Sequence, residues 1–60
     1  MLKLFTRVTT KFGDGEIVRH EINKEKLSRY GIKFDKKAPW KDNIGYFMPE
    51  EVTVIGKEIE

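Results

Sequence analysis

Apolar side chains in this chain recur at every second position, in runs too short to make a helix core. Leu2, Leu4, Thr6, Val8, Thr10 and Phe12 fall on one face, while Lys3, Arg7, Thr9 and Lys11 fall on the other. That period predicts a half-buried strand, and the β-branched residues favour it further. Phe5 breaks the alternation and predicts a bend or a second covered face near the N-terminus. Asp14-Gly15, within Phe12-Gly13-Asp14-Gly15-Glu16, is the pair a tight hairpin wants, because both positions take φ > 0 at low cost. The returning strand is expected over 17–22, with Val18, His20 and Ile22 on one face.

The same reading continues to the C-terminus. Residues 23–28 are polar and predict either a loop or a single helical turn capped by Asn23. Tyr30, Ile32 and Phe34 alternate with Gly31, Lys33 and Asp35, which predicts a third strand. Residues 36–43 read as an exposed loop, in which Pro39 biases Ala38 towards extended geometry. A fourth strand is expected over 44–48. Pro49-Glu50-Glu51 suits a short 3₁₀ turn, with proline first and acids near its N-terminus. Val52-Thr53-Val54-Ile55 is the fifth strand, closed by Gly56. No repeat, linker or second domain is visible, so one domain over 1–56 and a charged tail over 57–60 are expected.

A chain of 60 residues buries only about 60% of its unfolded surface, which sets its expected stability at roughly 3–5 kcal/mol. Five short strands in so small a domain call for a closed or nearly closed sheet, because a flat one leaves long edges and no core. The expected fold is therefore all-β, a five-stranded small barrel with a 3₁₀ turn before its last strand. It would enclose Leu4, Val8, Val18, Ile22, Ile32, Phe34, Ile44, Tyr46, Val52 and Val54.

Lys11-Phe12-Gly13-Asp14-Gly15-Glu16-Ile17-Val18 and Tyr30-Gly31-Ile32-Lys33-Phe34-Asp35 resemble the opening of the SH3-like, Tudor-like barrels. Such barrels occur in CarD-type transcription regulators and at the C-termini of some DNA-repair helicases. Gly45-Tyr46-Phe47-Met48-Pro49-Glu50-Glu51-Val52 is similar to the last part of an SH3 barrel, where a 3₁₀ turn joins the final two strands. The resemblance spans roughly residues 6–55 and describes a fold. It implies docking on a larger protein such as RNA polymerase or, in KOW-type relatives, contact with RNA or ribosomal protein. The early "ALYDY" segment and the paired tryptophans of eukaryotic SH3 domains are missing, so recognition of proline-rich ligands does not carry over.

Composition narrows the chemistry. There is no cysteine, which excludes disulfides and thiolate metal sites, and the single histidine, His20, has no second imidazole to pair with. Its alternation with Val18 and Ile22 marks it as structural. Gly13-Asp14-Gly15 lacks the third glycine and following helix of a dinucleotide-binding loop. Adjacent Glu50 and Glu51 on a tight turn point apart and do not form an acid–base pair. The chain is therefore expected to be neither an enzyme nor the holder of a cofactor or metal. No apolar run approaches the roughly 20 residues needed to span a membrane, and a cytoplasmic, monomeric protein with no membrane partner is expected.

Charge is unevenly distributed. Residues 1–41 hold eleven Lys/Arg against five Asp/Glu, a net +6, and residues 42–60 hold one Lys against five Asp/Glu, a net −4. The most informative stretch is 29–41, where Tyr30 and Trp40 are interleaved with Arg29, Lys33, Lys36, Lys37 and Lys41. Three readings of Trp40 stay open. It is an anchor for a protein partner, a platform on which an unpaired base stacks, or a lid folded over one end of the core. The expected function is a non-catalytic interaction module that binds a larger protein, in transcription or nucleic-acid metabolism. Direct binding to RNA or DNA through the 29–41 strip is the alternative, and no more than weak nucleic-acid affinity is expected beside a protein partner.

Overall fold

The computed structural model describes residues 1–56, so the tail at 57–60 lies outside the described residues. Five strands form one antiparallel sheet: β1 (Arg7–Thr10), β2 (Gly13–Asn23), β3 (Lys26–Phe34), β4 (Ile44–Phe47) and β5 (Thr53–Gly56). Their order is β4-β3-β2-β1-β5. The first four strands meander, and β5 returns to pair with β1 after a 3₁₀ turn at Pro49–Glu51. A tight turn at Lys41–Asn43, with Asp42 and Asn43 at φ 58° and 62°, precedes β4. No helix among the described residues is long and apolar enough to cross a membrane.

The all-β class and the strand count match the expectation, but the sheet does not close into a barrel. Strands β4 and β5 remain its two edges. Each has only four residues, and they do not pair with one another. The core is instead shut by segments outside the sheet. It comprises Val8, Ile17, Tyr30, Ile32, Phe34 and Phe47, with Leu2, Leu27, Ala38, Trp40 and Val52 packed against it.

Both hairpins differ from the sequence expectation. The β1–β2 turn is Lys11-Phe12, closed by the Thr10–Gly13 pair, and Gly13 adopts φ +124°. Asp14-Gly15 lies inside β2. Gly15 is required there because an added Cβ would clash with the Lys33 carbonyl oxygen on the neighbouring strand. Where a loop or helical turn was expected, β2 and β3 run on to a two-residue turn at Lys24-Glu25, closed by Asn23 and Lys26. Both turn residues have positive φ, 51° and 66°. That geometry normally selects Asn or Gly, so nothing in Lys-Glu advertised it.

Two strands also present the face opposite to the one expected. In β2, Ile17 is fully buried and pairs with Ile32, whereas Val18 sits unpaired at a bulge before Arg19. One extra residue inverts the alternation, so His20 returns to the inner side opposite Tyr30. Ile22 follows it but stays half exposed, because β1 pairs with β2 only as far as Glu16. In β4 the inward residues are Gly45 and Phe47, not Ile44 and Tyr46. An added Cβ at Gly45 would come within 2.9 Å of the Trp40 ring and 2.8 Å of Phe47, so glycine faces inward to make room for the indole. Leu4 and Val54, also expected inside, are partly exposed. Val54 stands opposite the buried Val8, but on an edge strand with no neighbour beyond it.

Candidate interaction surfaces

Aromatic rings close one end of the core. The Trp40 indole stacks on Phe34 (centroids 5.6 Å apart, 23° between planes) and meets Phe47 edge-on at 5.6 Å. Phe12, at the tip of the β1–β2 turn, packs edge-on against Trp40 at 5.0 Å and is still 51% exposed. Trp40 therefore packs over the end of the core, as the lid reading has it, with part of its surface in solvent. Its position depends on Asn43. The Asn43 Oδ1 accepts from the Ala38 amide (2.6 Å), and its Nδ2 donates to the carbonyls of Phe34 and Lys36 (2.9 Å each). Asn43 also has φ 62°, a conformation asparagine tolerates better than most side chains.

Beside the rings lies a cleft of about 300 Å³, lined by Phe12, Gly13, Asp14, Phe34, Asp35 and Lys36. Its outer wall is held by the Arg7 guanidinium, which donates from Nη1 to Asp35 Oδ1 at 2.9 Å and from Nη2 to Oδ2. The hydrogen bond from Arg7, more than its charge, holds the Asp35 carboxyl below the usual carboxylate range. Lys11 sits 5.4 Å from the Phe12 ring centroid. Exposed Lys36, Lys37 and Lys41 belong to the loop and tight turn that carry Trp40.

The strip expected over 29–41 is thus divided. Lys36, Lys37, Trp40 and Lys41 stay together at the aromatic end, but Arg29 and Lys33 stand on the outward face of β3. There the register places Glu21 opposite Arg29, Arg19 opposite Gly31 and Glu16 opposite Lys33. On the other side, β4 places Tyr46 opposite Gly31 and Ile44 opposite Lys33. Arg29 donates Nε and Nη2 to the two Glu21 carboxylate oxygens at 2.6 and 2.8 Å. This hydrogen bonding, ahead of the charge attraction, holds Glu21 below the usual carboxylate range and raises Arg29. The Arg29 guanidinium carbon also lies 5.5 Å from the Tyr46 ring centroid, and Arg19 Nη1 donates to Tyr46 Oη at 3.4 Å.

Gly31 makes that arrangement possible. A Cβ there would approach Arg19 Cβ to 2.9 Å and the Tyr46 ring to 3.1 Å. Reading the sequence alone missed Phe12, Arg19 and Tyr46 as surface residues. Phe12 was counted into a continuous strand rather than a turn tip, and Tyr46 was assigned to the core by a phase that Gly45 reverses. Gly31, a bare position flanked by alternating residues, was the one available signal that a ring crosses there.

The remaining polar groups are structural. His20 Nε2 donates to the Leu2 carbonyl at 2.7 Å, with its ring edge-on to Tyr30 at 5.8 Å. The Leu2 amide donates to Tyr30 Oη at 2.8 Å. The Glu51 carboxylate accepts from the Met48 amide at 3.2 Å and so caps its own 3₁₀ turn. Among the described residues, no group of three or more His, Asp or Glu is placed to hold a metal ion. No family model, curated protein or solved structure matches the chain, so its function is argued from this geometry.

Proposed function

We propose that the protein is a non-catalytic interaction module with an SH3-like fold, and that it docks on a larger protein through its aromatic end. The observation that carries this reading is Phe12, half exposed yet held edge-on against Trp40 at the mouth of the cleft. A large ring fixed before binding loses little conformational freedom on docking, and aromatics with cations beside them are the usual anchors of protein interfaces. The charges around it favour a protein over a nucleic-acid backbone. Lys36 is joined in the cleft by Asp14 and Asp35, and a mixed-sign pocket repels a continuous line of phosphates. The SH3-like assignment is supported by the strand order, in which a four-strand meander is followed by a 3₁₀ turn and a fifth strand that returns to β1. The setting in transcription or nucleic-acid metabolism follows from the resemblance of the 11–18, 30–35 and 45–52 segments.

The test replaces Phe12, or as a control the exposed β5 residue Thr53, with a photo-crosslinking phenylalanine analogue in the native host. A protein adduct that forms from position 12, resists nuclease and is absent from position 53 is the expected result. Equal adducts from both positions, or an adduct that nuclease removes, would overturn the proposal.

A further inference from the structure

The strap formed by residues 1–6 departs from a local rule at Phe5. Lys3–Thr6 is a tight turn in which the Thr6 amide donates to the Lys3 carbonyl at 3.3 Å, and its third residue, Phe5, has φ 69°. The pairing with β2 makes the same demand on that residue. Phe5 N–H donates to the Ile17 carbonyl at 2.6 Å, and Ile17 N–H donates to the Thr6 carbonyl at 3.1 Å. Two strap residues thus oppose one residue of β2, in a bulge whose first position takes glycine. A turn with positive φ at its third residue takes glycine there too. Phenylalanine occupies the place instead, and it is more than half exposed. Beyond the turn, Leu2 fills a socket that reads both main-chain polar groups of one residue. Its amide donates to Tyr30 Oη at 2.8 Å, its carbonyl accepts from His20 Nε2 at 2.7 Å, and its side chain packs on the core.

We propose that two copies of this protein exchange residues 1–4 to form a symmetric dimer, each Leu2 entering the socket of the other copy. A second copy is the occupant that the geometry favours, because its Leu2 reproduces both hydrogen bonds the socket now makes. The balance between the closed and the exchanged forms then falls on the hinge. In the closed form Phe5 bears the cost of the left-handed region, and opening the turn releases it in both copies. Short, strained hinges of this kind favour exchange. Opening also covers apolar surface. The span from Phe5 back to Leu2 is about 10 Å when extended, so the two molecules meet beside their hinges. Leu4 and Phe5 of each copy, both partly exposed in the closed form, come together there. Ile55 adds to the patch, half exposed at the irregular step where β5 pairs with Arg7 and Val8. Residues 4–6 are uncharged, so the two hinges set no like charges against each other.

The test is sedimentation equilibrium of the full chain from micromolar to millimolar concentration, after brief warming to open the strap. Wild-type protein should pass from monomer to dimer over that range. In a dimer prepared from equal amounts of isotope-labelled and unlabelled protein, the Leu2 amide of labelled copies should show an NOE to the Tyr30 ring of unlabelled ones. Phe5→Gly frees the closed turn of strain and should raise the dissociation constant by at least about tenfold. Phe5→Leu keeps both the cost of positive φ and an apolar hinge, and should dimerise within a few-fold of wild type. Thr53→Lys, which blocks edge pairing through β5, should leave the dimer unchanged. Circular dichroism establishes that each variant is folded, and the NOE on wild-type protein decides the question without any variant. A monomer throughout the range, or a dimer whose Leu2–Tyr30 NOEs arise only within one copy, would overturn the proposal. So would a Phe5→Gly protein that dimerises like wild type, a Phe5→Leu protein as weak as Phe5→Gly, or loss of the dimer in folded Thr53→Lys.

Discussion

The core is closed at two places in two different ways. At the aromatic end, Phe12, Phe34, Trp40 and Phe47 interlock, and Asn43 pins the loop that carries the indole. At the N-terminus, residues 1–6 form a strap tied down mainly by hydrogen bonds. Leu2 bonds through its amide to Tyr30 and through its carbonyl to His20, while Phe5 and Thr6 bond with Ile17. Leu2 is the only apolar side chain of the strap that packs on the core, and Leu4 and Phe5 remain partly exposed. Buried area separates the two closures. Packed rings contribute several kcal/mol, whereas a hydrogen bond exchanged with water contributes about 1 kcal/mol net. The aromatic end should therefore carry global stability, and the strap should open locally.

The largest effect that would break this comparison is at Trp40. Trp40→Ala removes the contacts to three rings and leaves a cavity over Gly45, so a loss of about 3–5 kcal/mol is expected. That nearly equals the stability of a domain this small, and urea titration should find it mostly unfolded. A mild effect would mean that the rings are not the keystone. Asn43→Ala should come next. It removes three hydrogen bonds and places alanine at positive φ, for an expected loss of about 2–3 kcal/mol, with Trp40 emission shifted towards that of solvent-exposed indole.

His20→Phe sharpens the other side of the comparison. It keeps a ring beside Tyr30 but removes the bond to the Leu2 carbonyl, at a cost of about 1 kcal/mol. Amide exchange should quicken at Leu2 and Phe5 while Trp40 emission stays as in wild type. A change at both places would show that strap and aromatic end open as one unit. The smallest effect concerns the surface pairs. Asp35 and Glu21 have folded-state values below their unfolded ones, so their contribution is present in full above the ordinary carboxylate range. It is lost as pH falls through that range and towards the lowered folded-state values. Both pairs are solvent-exposed, so high salt should flatten this acid-side loss in thermal melts. Asp35→Asn and Glu21→Gln should each remove part of it.

How much was legible depended on whether a local rule or a neighbour decided each position. Alternation at Val8 and at Ile32 and Phe34 marked core residues correctly, because a period of two needs no knowledge of the partner strand, while Tyr30, on the same alternation, was not counted into the core and is buried. Pro49-Glu50-Glu51 marked its own turn for the same reason. The basic–aromatic stretch over 29–41 was visible as composition. Its division between an end and a face was not, because Arg29 and Lys33 belong to β3 whereas Lys36, Lys37, Trp40 and Lys41 lie beyond the strand's end at Phe34.

The sequence alone therefore determined the strand class, the absence of thiol chemistry and the wealth of cations in the first 41 residues. Those follow from residue type and from spacing along the chain. Only tertiary structure decided which face of β2 and β4 is inside, since the bulge at Val18 and the indole over Gly45 each depend on atoms distant in sequence. It also decided that Trp40 is partly buried against rings while Tyr46 stands outside between two arginines. A side chain's alternation says only that it has two faces to choose from. The choice is made by whatever else fills the space, and in β4 that is the Trp40 indole over Gly45.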